Sequence, residues 1–232
     1  TEECWLNEID DTILRKKIDE LIFAPKQPPE WKDNPDEWLS NFDIIEVLKQ
    51  YEQAYPKFIL LGPTPIDFDS KDSRDSKKCV EESLCHFSLN ALIKKGKTKI
   101  GVVFNLDKHT GPGSHWVSLF IDVDQHYIMY FDSGGGAIKK EIAKLAERVL
   151  KQAKDLKIKM KLISDKGRVS HQRGTTECGM YSLYFITTLL TEKAGNGTVL
   201  DTVDKKVRHF RSKRIPDEFV FSYRKKLFNS FG

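Results

Sequence analysis

Gly113-Ser114-His115-Trp116-Val117-Ser118-Leu119-Phe120-Ile121-Asp122-Val123-Asp124-Gln125-His126-Tyr127-Ile128-Met129-Tyr130-Phe131-Asp132-Ser133 is the stretch on which the fold turns. Trp116 to Val123 and Tyr127 to Phe131 are β-branched and aromatic runs parted by turn residues, which reads as two strands. A hairpin centred on Val123-Asp124 sets His115 directly across from Asp132. Opposed Cβ atoms on neighbouring strands lie about 4.5–5.5 Å apart, close enough for an imidazole–carboxylate hydrogen bond. A carboxylate so placed fixes the ring tautomer and stabilises the imidazolium.

Outward from this hairpin, Ile100 to Leu106 reads as a further strand, and Leu156 to Ile163 alternates apolar with lysine as a half-buried strand does. Between them Ala137 to Lys154 has helical periodicity at Ile138, Ile142, Leu145, Val149 and Leu150. After the polar loop Ser164 to Glu177, Cys178 opens an apolar helix through Leu190, and two more helices fill Val199 to Phe231. Upstream, Ile9 to Phe23 reads as a helix, and prolines at 25, 28, 29 and 35 forbid regular structure until Ser40 or Asn41 caps a helix to about Tyr55. Gly62-Pro63-Thr64-Pro65 breaks the chain, Asp67 to Lys78 reads as an exposed loop, and a helix spans about Glu81 to Lys94. The expected class is α+β: a mostly antiparallel central sheet flanked by helices. One domain is expected, with a helical, proline-rich part (1–62) leading into the core (63–232).

Composition narrows the function classes. With 39% hydrophobic and 31% charged residues and 25 aromatic side chains, the 232-residue chain is a globular protein rather than a disordered one. No run approaches the roughly 18 apolar residues of a membrane span. A net charge of +4 is too small to argue for nucleic-acid binding, which is possible but not expected. The nine Lys or Arg between Lys205 and Lys226 read as a solvated helical face. Cys4, Cys79, Cys85 and Cys178 form no CxxC, so neither a disulfide framework nor a metal site is expected, and a reducing compartment fits. His86, beside Cys85, reads as packing rather than as a metal ligand. The chain starts at Thr1 without a signal segment and reads as a piece of a longer protein.

Cys178 stands where a polar loop enters an apolar helix. Unpaired N–H groups and the dipole at a helix N-terminus favour a thiolate, and so does a neighbouring imidazolium. Gly179 leaves room for a substrate backbone. Gln172, six residues before the cysteine, can offer its amide to an oxyanion beside the Cys178 N–H. Nucleophile, base, orienting acid and oxyanion donor are all present in Cys178, His115, Asp132 and Gln172. His171 is a rival base without an evident acid partner. Gly134-Gly135-Gly136 lacks the Gly-Lys-Ser/Thr of a phosphate loop and reads as a turn.

His115-Trp116, Asp132 seventeen residues on, and Gln172-x5-Cys178-Gly179 resemble the cysteine proteases that process SUMO and other ubiquitin-like proteins, whose fold adenovirus protease shares. Phe104-Asn105-Leu106-Asp107 before Gly113-Ser114-His115-Trp116-Val117, and His171-Gln172-Arg173 before Thr176-Glu177-Cys178-Gly179, resemble most the polyprotein proteases of large DNA viruses. The likeness is strong from about Ile100 to Leu190. That viral branch carries Asn where this chain has Asp132, which matches the SUMO-protease pattern instead. The resemblance implies cleavage after Gly-Gly-type sequences, in a polyprotein or at a ubiquitin-like tail, without a cofactor. It implies a cytoplasmic protein, or one of host cytoplasm and virion if viral. It also implies two tryptophans closing over the glycines: Trp116, and either Trp38 of Trp38-Leu39-Ser40-Asn41 or Trp5 of Trp5-Leu6-Asn7-Glu8, with Trp38 preferred. Trp116 can cover the channel only if the strand is frayed there, because strand neighbours point to opposite faces. Two alternatives share the resemblance: an effector-type acetyltransferase using acetyl-CoA and inositol hexakisphosphate, and a silent binder of ubiquitin-like proteins.

Overall fold

The structure, a computed structural model, describes residues 2–21, 24–71, 78–164 and 169–230. Its helices are α1 (Glu2–Asn7), α2 (Thr12–Leu21), α3 (Asn41–Ala54), α4 (Glu82–Cys85), α5 (Leu89–Lys94), α6 (Lys140–Asp155), α7 (Cys178–Thr191), α8 (Val203–Arg211), α9 (Asp217–Ser222) and α10 (Arg224–Leu227). Its strands are β1 (Phe58–Pro65), β2 (Lys99–Asn105), β3 (Trp116–Asp122), β4 (Tyr127–Phe131) and β5 (Lys161–Ile163). They form one sheet in sequence order, antiparallel through β2-β3-β4, with a parallel strand at each edge.

Side-chain alternation divides the core in two. Phe58, Val103, Trp116, Phe120, Met129 and Phe131 face α3, α7 and the C-terminal helices. Ile100, Val102, Phe104, Val117, Leu119, Ile128 and Tyr130 face α4, α5 and α6. α7 lies against the sheet with every residue from Cys178 to Leu190 buried, and Phe185 stacks on Phe131 with ring centroids 4.8 Å apart. A helix apolar on all sides belongs inside a protein, so the N-terminus of α7 is delivered to the rim of the sheet.

Several expectations are corrected. Gly62-Pro63-Thr64-Pro65 is not a break but the end of β1. An edge strand tolerates proline, and Gly62 at φ +90° allows the register to shift between Leu61 and Thr64. Residues 62 and 63 therefore lie inside a strand paired with β2, and the N-terminal part shares the sheet of the rest. The expected helix over Glu81–Lys94 is two short ones, each started by its own side-chain cap, Glu81 and Ser88. Phe68, placed in an exposed loop, is fully buried; residues 72–77 of that loop lie outside the described residues. Only Lys161–Ile163 of the expected Leu156–Ile163 strand pairs, and the C-terminal region forms three helices. The expected helix over Ile9–Phe23 is observed as Thr12–Leu21, with residues 22 and 23 outside the described set. The α3 start is as read, with Ser40 and Asp43 forming a reciprocal capping box.

The hairpin register also differs. Asp122 pairs with Tyr127 and Ser118 with Phe131, so Val123 to His126 form a four-residue loop. Asp122 makes this turn, its Oδ1 accepting from the Gln125 N–H at 2.9 Å. The pairing is displaced by two residues from the expected one, and an even displacement leaves every side chain on its face. His115 and Asp132 still meet, diagonally.

Candidate active site

His115 is the residue before β3, its carbonyl accepting from Leu106 N–H at 2.9 Å, and Asp132 is the residue after β4. Both lie just outside the ladder, where the pleat no longer dictates direction. His115 Nε2 is 2.8 Å from Asp132 Oδ1, and the His115 ring also interacts electrostatically with Cys178. With Nε2 on the carboxylate, Nδ1 is the nitrogen left for the sulfur. Burial disfavours charge on this ring, but the hydrogen bond to Asp132 and the interaction with Cys178 outweigh it and raise its pKa to about 9. Burial likewise works against the Asp132 charge, yet His115, followed by the N–H groups of Gly134 and Gly136, holds that carboxyl below the usual range.

The three glycines read as a plain turn are thus part of the site. Gly134 N–H donates to Asp132 Oδ1 at 2.8 Å, and a Cβ on Gly136 would run into Asp132 Oδ2. Gly135 at φ +76° passes so close to Ser170 that a Cβ would sit 3.0 Å from its nitrogen. A run of three glycines after a candidate acid is the signal that carries this.

Cys178 is the first residue of α7 and is 1% exposed. Glu177 makes no cap to the helix, so the leading N–H groups there have no side-chain acceptor. Glu177 is instead buried against Arg224, at 3.3 Å, and Arg224 also donates to the carbonyls of Pro35 and Glu37. Burial first, against the opposing pull of Arg224, raises the Glu177 pKa. Arg224 therefore ties the residue before Cys178 to the chain that leads into Trp38; nothing in its sequence context marks it for that role.

Gln172 accepts at Oε1 from Ser133 Oγ at 2.7 Å and donates from Nε2 to Gly174 O at 3.0 Å. His171 is buried and saturated: Nδ1 accepts from Ile215 N–H at 3.0 Å, which leaves Nε2 to donate to Phe210 O at 2.9 Å. Burial lowers its pKa, and the ring serves as a neutral strut. Gly179 requires a correction. A Cβ there would meet Leu39 Cβ at 2.9 Å, so the space read as room for substrate is filled by Leu39.

Trp116 and Trp38 both line a groove of about 550 Å³ that runs between Glu37–Asn41, Pro63–Pro65 and the Asp107–Gly113 loop. The strand is not frayed at Trp116, which pairs with Asn105 and obeys the pleat. Its ring is 8% exposed, and Nε1–H donates to Leu39 O at 3.0 Å, so it is a fixed wall rather than a turning cover. Trp38 is 38% exposed on the groove, whereas Trp5 is 74% exposed on α1 and does not line it.

The C-terminal basic stretch is not simply a solvated face. Lys206 and Arg224 are buried, Arg211 donates to the carbonyls of Tyr130, Ile163 and Ser164, and Arg214 donates to His171 O. Cys79 and Cys85, expected to be unlinked, form a disulfide, with His86 beside it as the third member of a ligand-type cluster. Among the described residues no helix is long and apolar enough to cross a membrane.

Comparison with known proteins shows the family. Residues 95–229 match the Ulp1 protease family, C-terminal catalytic domain. A cysteine protease of African swine fever virus is 32% identical over 196 residues, covering 82% of this chain and 67% of that protein. A thiol protease of Acanthamoeba polyphaga mimivirus is 31% identical over 182 residues, 77% of this chain but only 56% of that protein. The crystal structure of an African swine fever virus protease superposes with a TM-score of 0.71 at 24% identity, over 99% of this chain and 79% of that one. The chain belongs to the Ulp1 protease family of cysteine proteases.

Proposed function

We propose that the chain is one catalytic domain that hydrolyses peptide or isopeptide bonds after Gly-Gly-type sequences through Cys178, His115, Asp132 and Gln172. The observation that carries this is the Asp132–His115 hydrogen bond, with the same ring interacting electrostatically with Cys178 at the uncapped start of α7. The Cys178 thiol passes its proton to His115 and its sulfur attacks the glycyl carbonyl, while the charge on the carbonyl oxygen is taken by the Cys178 N–H and the free hydrogen of the Gln172 amide. The proton held on His115 passes to the leaving amine, and His115 then draws a proton from the water that releases the acyl group. Asp132, fixed by Gly134 and Gly136, keeps the imidazole oriented. Substrate enters along the Trp38–Trp116 groove. A relative from African swine fever virus is described as a SUMO-1 cysteine protease, which supports a ubiquitin-like tail or a viral precursor as substrate and an infected host's cytoplasm and virion as the setting.

Ubiquitin-like modifiers bearing a C-terminal propargyl group, run beside Gly-Gly-X peptides and labelled acetyl-CoA with inositol phosphate, test this reading. Covalent capture of a probe at Cys178, or peptide hydrolysis, is the expected outcome. Acetyl transfer without hydrolysis defeats it.

The His115 pKa supplies a pH prediction. Since the imidazolium is required and its pKa is raised to about 9, kcat/KM holds through neutrality and falls as pH rises through about 9. Asp132→Asn removes the carboxylate that sustains this charge, so the alkaline limb moves to lower pH. The amide still accepts from the ring, so this variant keeps more activity than Cys178→Ala. The limb staying at the same pH in Asp132→Asn would show that Asp132 does not act on His115.

A further inference from the structure

An oxyanion donor works only if it is aimed before the charge appears, and a glutamine on a loop has two amide orientations and several rotamers to lose. Resting on the reading of Gln172 as that donor, we propose that Ser133 and Asp217 are the positioning residues that hold the Gln172 amide in its working orientation.

Ser133 acts directly. It is 1% exposed, its carbonyl accepts from the N–H groups of both His171 (2.8 Å) and Gln172 (2.9 Å), and its hydroxyl donates to Gln172 Oε1. A hydroxyl alone would not fix the amide, because it can also accept. The Gly174 carbonyl decides, since it lies 3.0 Å from Nε2 and accepts only. Turning the amide over would set oxygen against oxygen. With one amide hydrogen spent on Gly174, the other is left for the oxyanion.

This makes the placement of Gly174 critical, and Asp217 provides it. The carboxylate of Asp217 accepts from Arg173 N–H at 3.1 Å and from Gly174 N–H at 3.4 Å. Its remaining partners point in two other directions. Arg214 donates to Asp217 Oδ2 at 2.8 Å and to His171 O at 2.6 Å, bracing the same loop from its start. The Tyr181 hydroxyl lies 2.8 Å from Asp217 Oδ1 and also 2.8 Å from Ile215 O. Burial, and then Asp217 itself, raises the Tyr181 pKa, so this hydroxyl stays protonated as a donor. Tyr181 is on α7, one turn from Cys178, and its N–H donates to Glu177 O. The loop that carries the amide is thus bolted on one side to the residue after Asp132 and on the other to the helix that carries the nucleophile. Asp217 is the common acceptor of the second set.

A double-mutant cycle tests this on a fluorogenic Gly-Gly peptide. Gln172→Ala is expected to lower kcat about 10²-fold, as loss of one oxyanion donor does. Ser133→Ala and Asp217→Asn should each lower kcat about tenfold with KM within about twofold, because an amide misaligned part of the time loses part of that same stabilisation. In the Gln172→Ala background neither should cost more than about twofold further, since there is no amide left to aim. Equal losses in both backgrounds, or an unchanged kcat in Ser133→Ala, would overturn the positioning role while leaving Gln172 in place. An unchanged kcat in Gln172→Ala would instead remove Gln172 as the donor, and the proposal with it. Melting curves accompany each variant; if Asp217→Asn does not fold, the Ser133 cycle decides alone.

Discussion

Cys178→Ala is expected to lower kcat by about 10⁴-fold or more and to leave a folded protein. In the proposed mechanism the thiol forms the acyl intermediate; His115 is committed to Asp132, and His171 has both ring nitrogens occupied. Loss of the sulfur removes one small buried group from the start of α7 while the rest of that helix stays packed. A change of about 1 kcal/mol would move the melting temperature of a chain this size by roughly 2–4 °C. The measurement is single-turnover hydrolysis of a Gly-Gly substrate alongside thermal unfolding. Residual turnover within tenfold of the wild type, in a preparation free of other proteases, would end the mechanism.

The second large effect concerns specificity. In the proposed reading, a peptide bound in the groove lies against Trp38 and against the wall made by Leu39 and Trp116. Leu39 cannot retreat, for it packs on Gly179 and its carbonyl holds the Trp116 indole N–H. A wall fixed in this way leaves no play for a substrate Cβ. Forcing extra carbon into a packed site costs about 1–3 kcal/mol, or roughly ten- to hundredfold in rate for each glycine replaced. Peptides ending Gly-Gly, Gly-Ala, Ala-Gly and Ala-Ala before the cut should therefore fall in that order of magnitude per step in kcat/KM. Trp38→Ala is the cleaner probe of the clamp, because Trp38 is exposed whereas Trp116→Ala would also cost about 3–5 kcal/mol of core packing. It should narrow the Gly-to-Ala ratio. Ala-Ala peptides cut within threefold of Gly-Gly peptides by the wild type would refute the narrow channel.

That Cys178 opens a helix and that His115 and Asp132 flank the hairpin strands was legible, because boundaries between element types are written locally in hydrophobic pattern and turn residues. The His115–Asp132 pairing was legible even with the register two residues off, since the side-chain period along a strand is two. The meeting of Gln172 with Ser133 was not: it needs the loop after β5 folded back on the end of β4.

By itself, then, the sequence determined the central strands β2, β3 and β4, the buried helix that begins at Cys178, and the meeting of His115 with Asp132. Periodicity and capping act within a turn or two of chain, and these features need nothing more. The tertiary structure alone decided that the proline-rich segment at Gly62 is an edge strand and that Gly179 serves Leu39 instead of a substrate. It alone made Trp116 a pinned wall, and it turned Arg224 and Asp217, two unremarkable charges near the C-terminus, into supports for the start of α7 and the loop beside it. Those outcomes depend on which surfaces meet across scores of residues. Close packing, which no local pattern encodes, settles them.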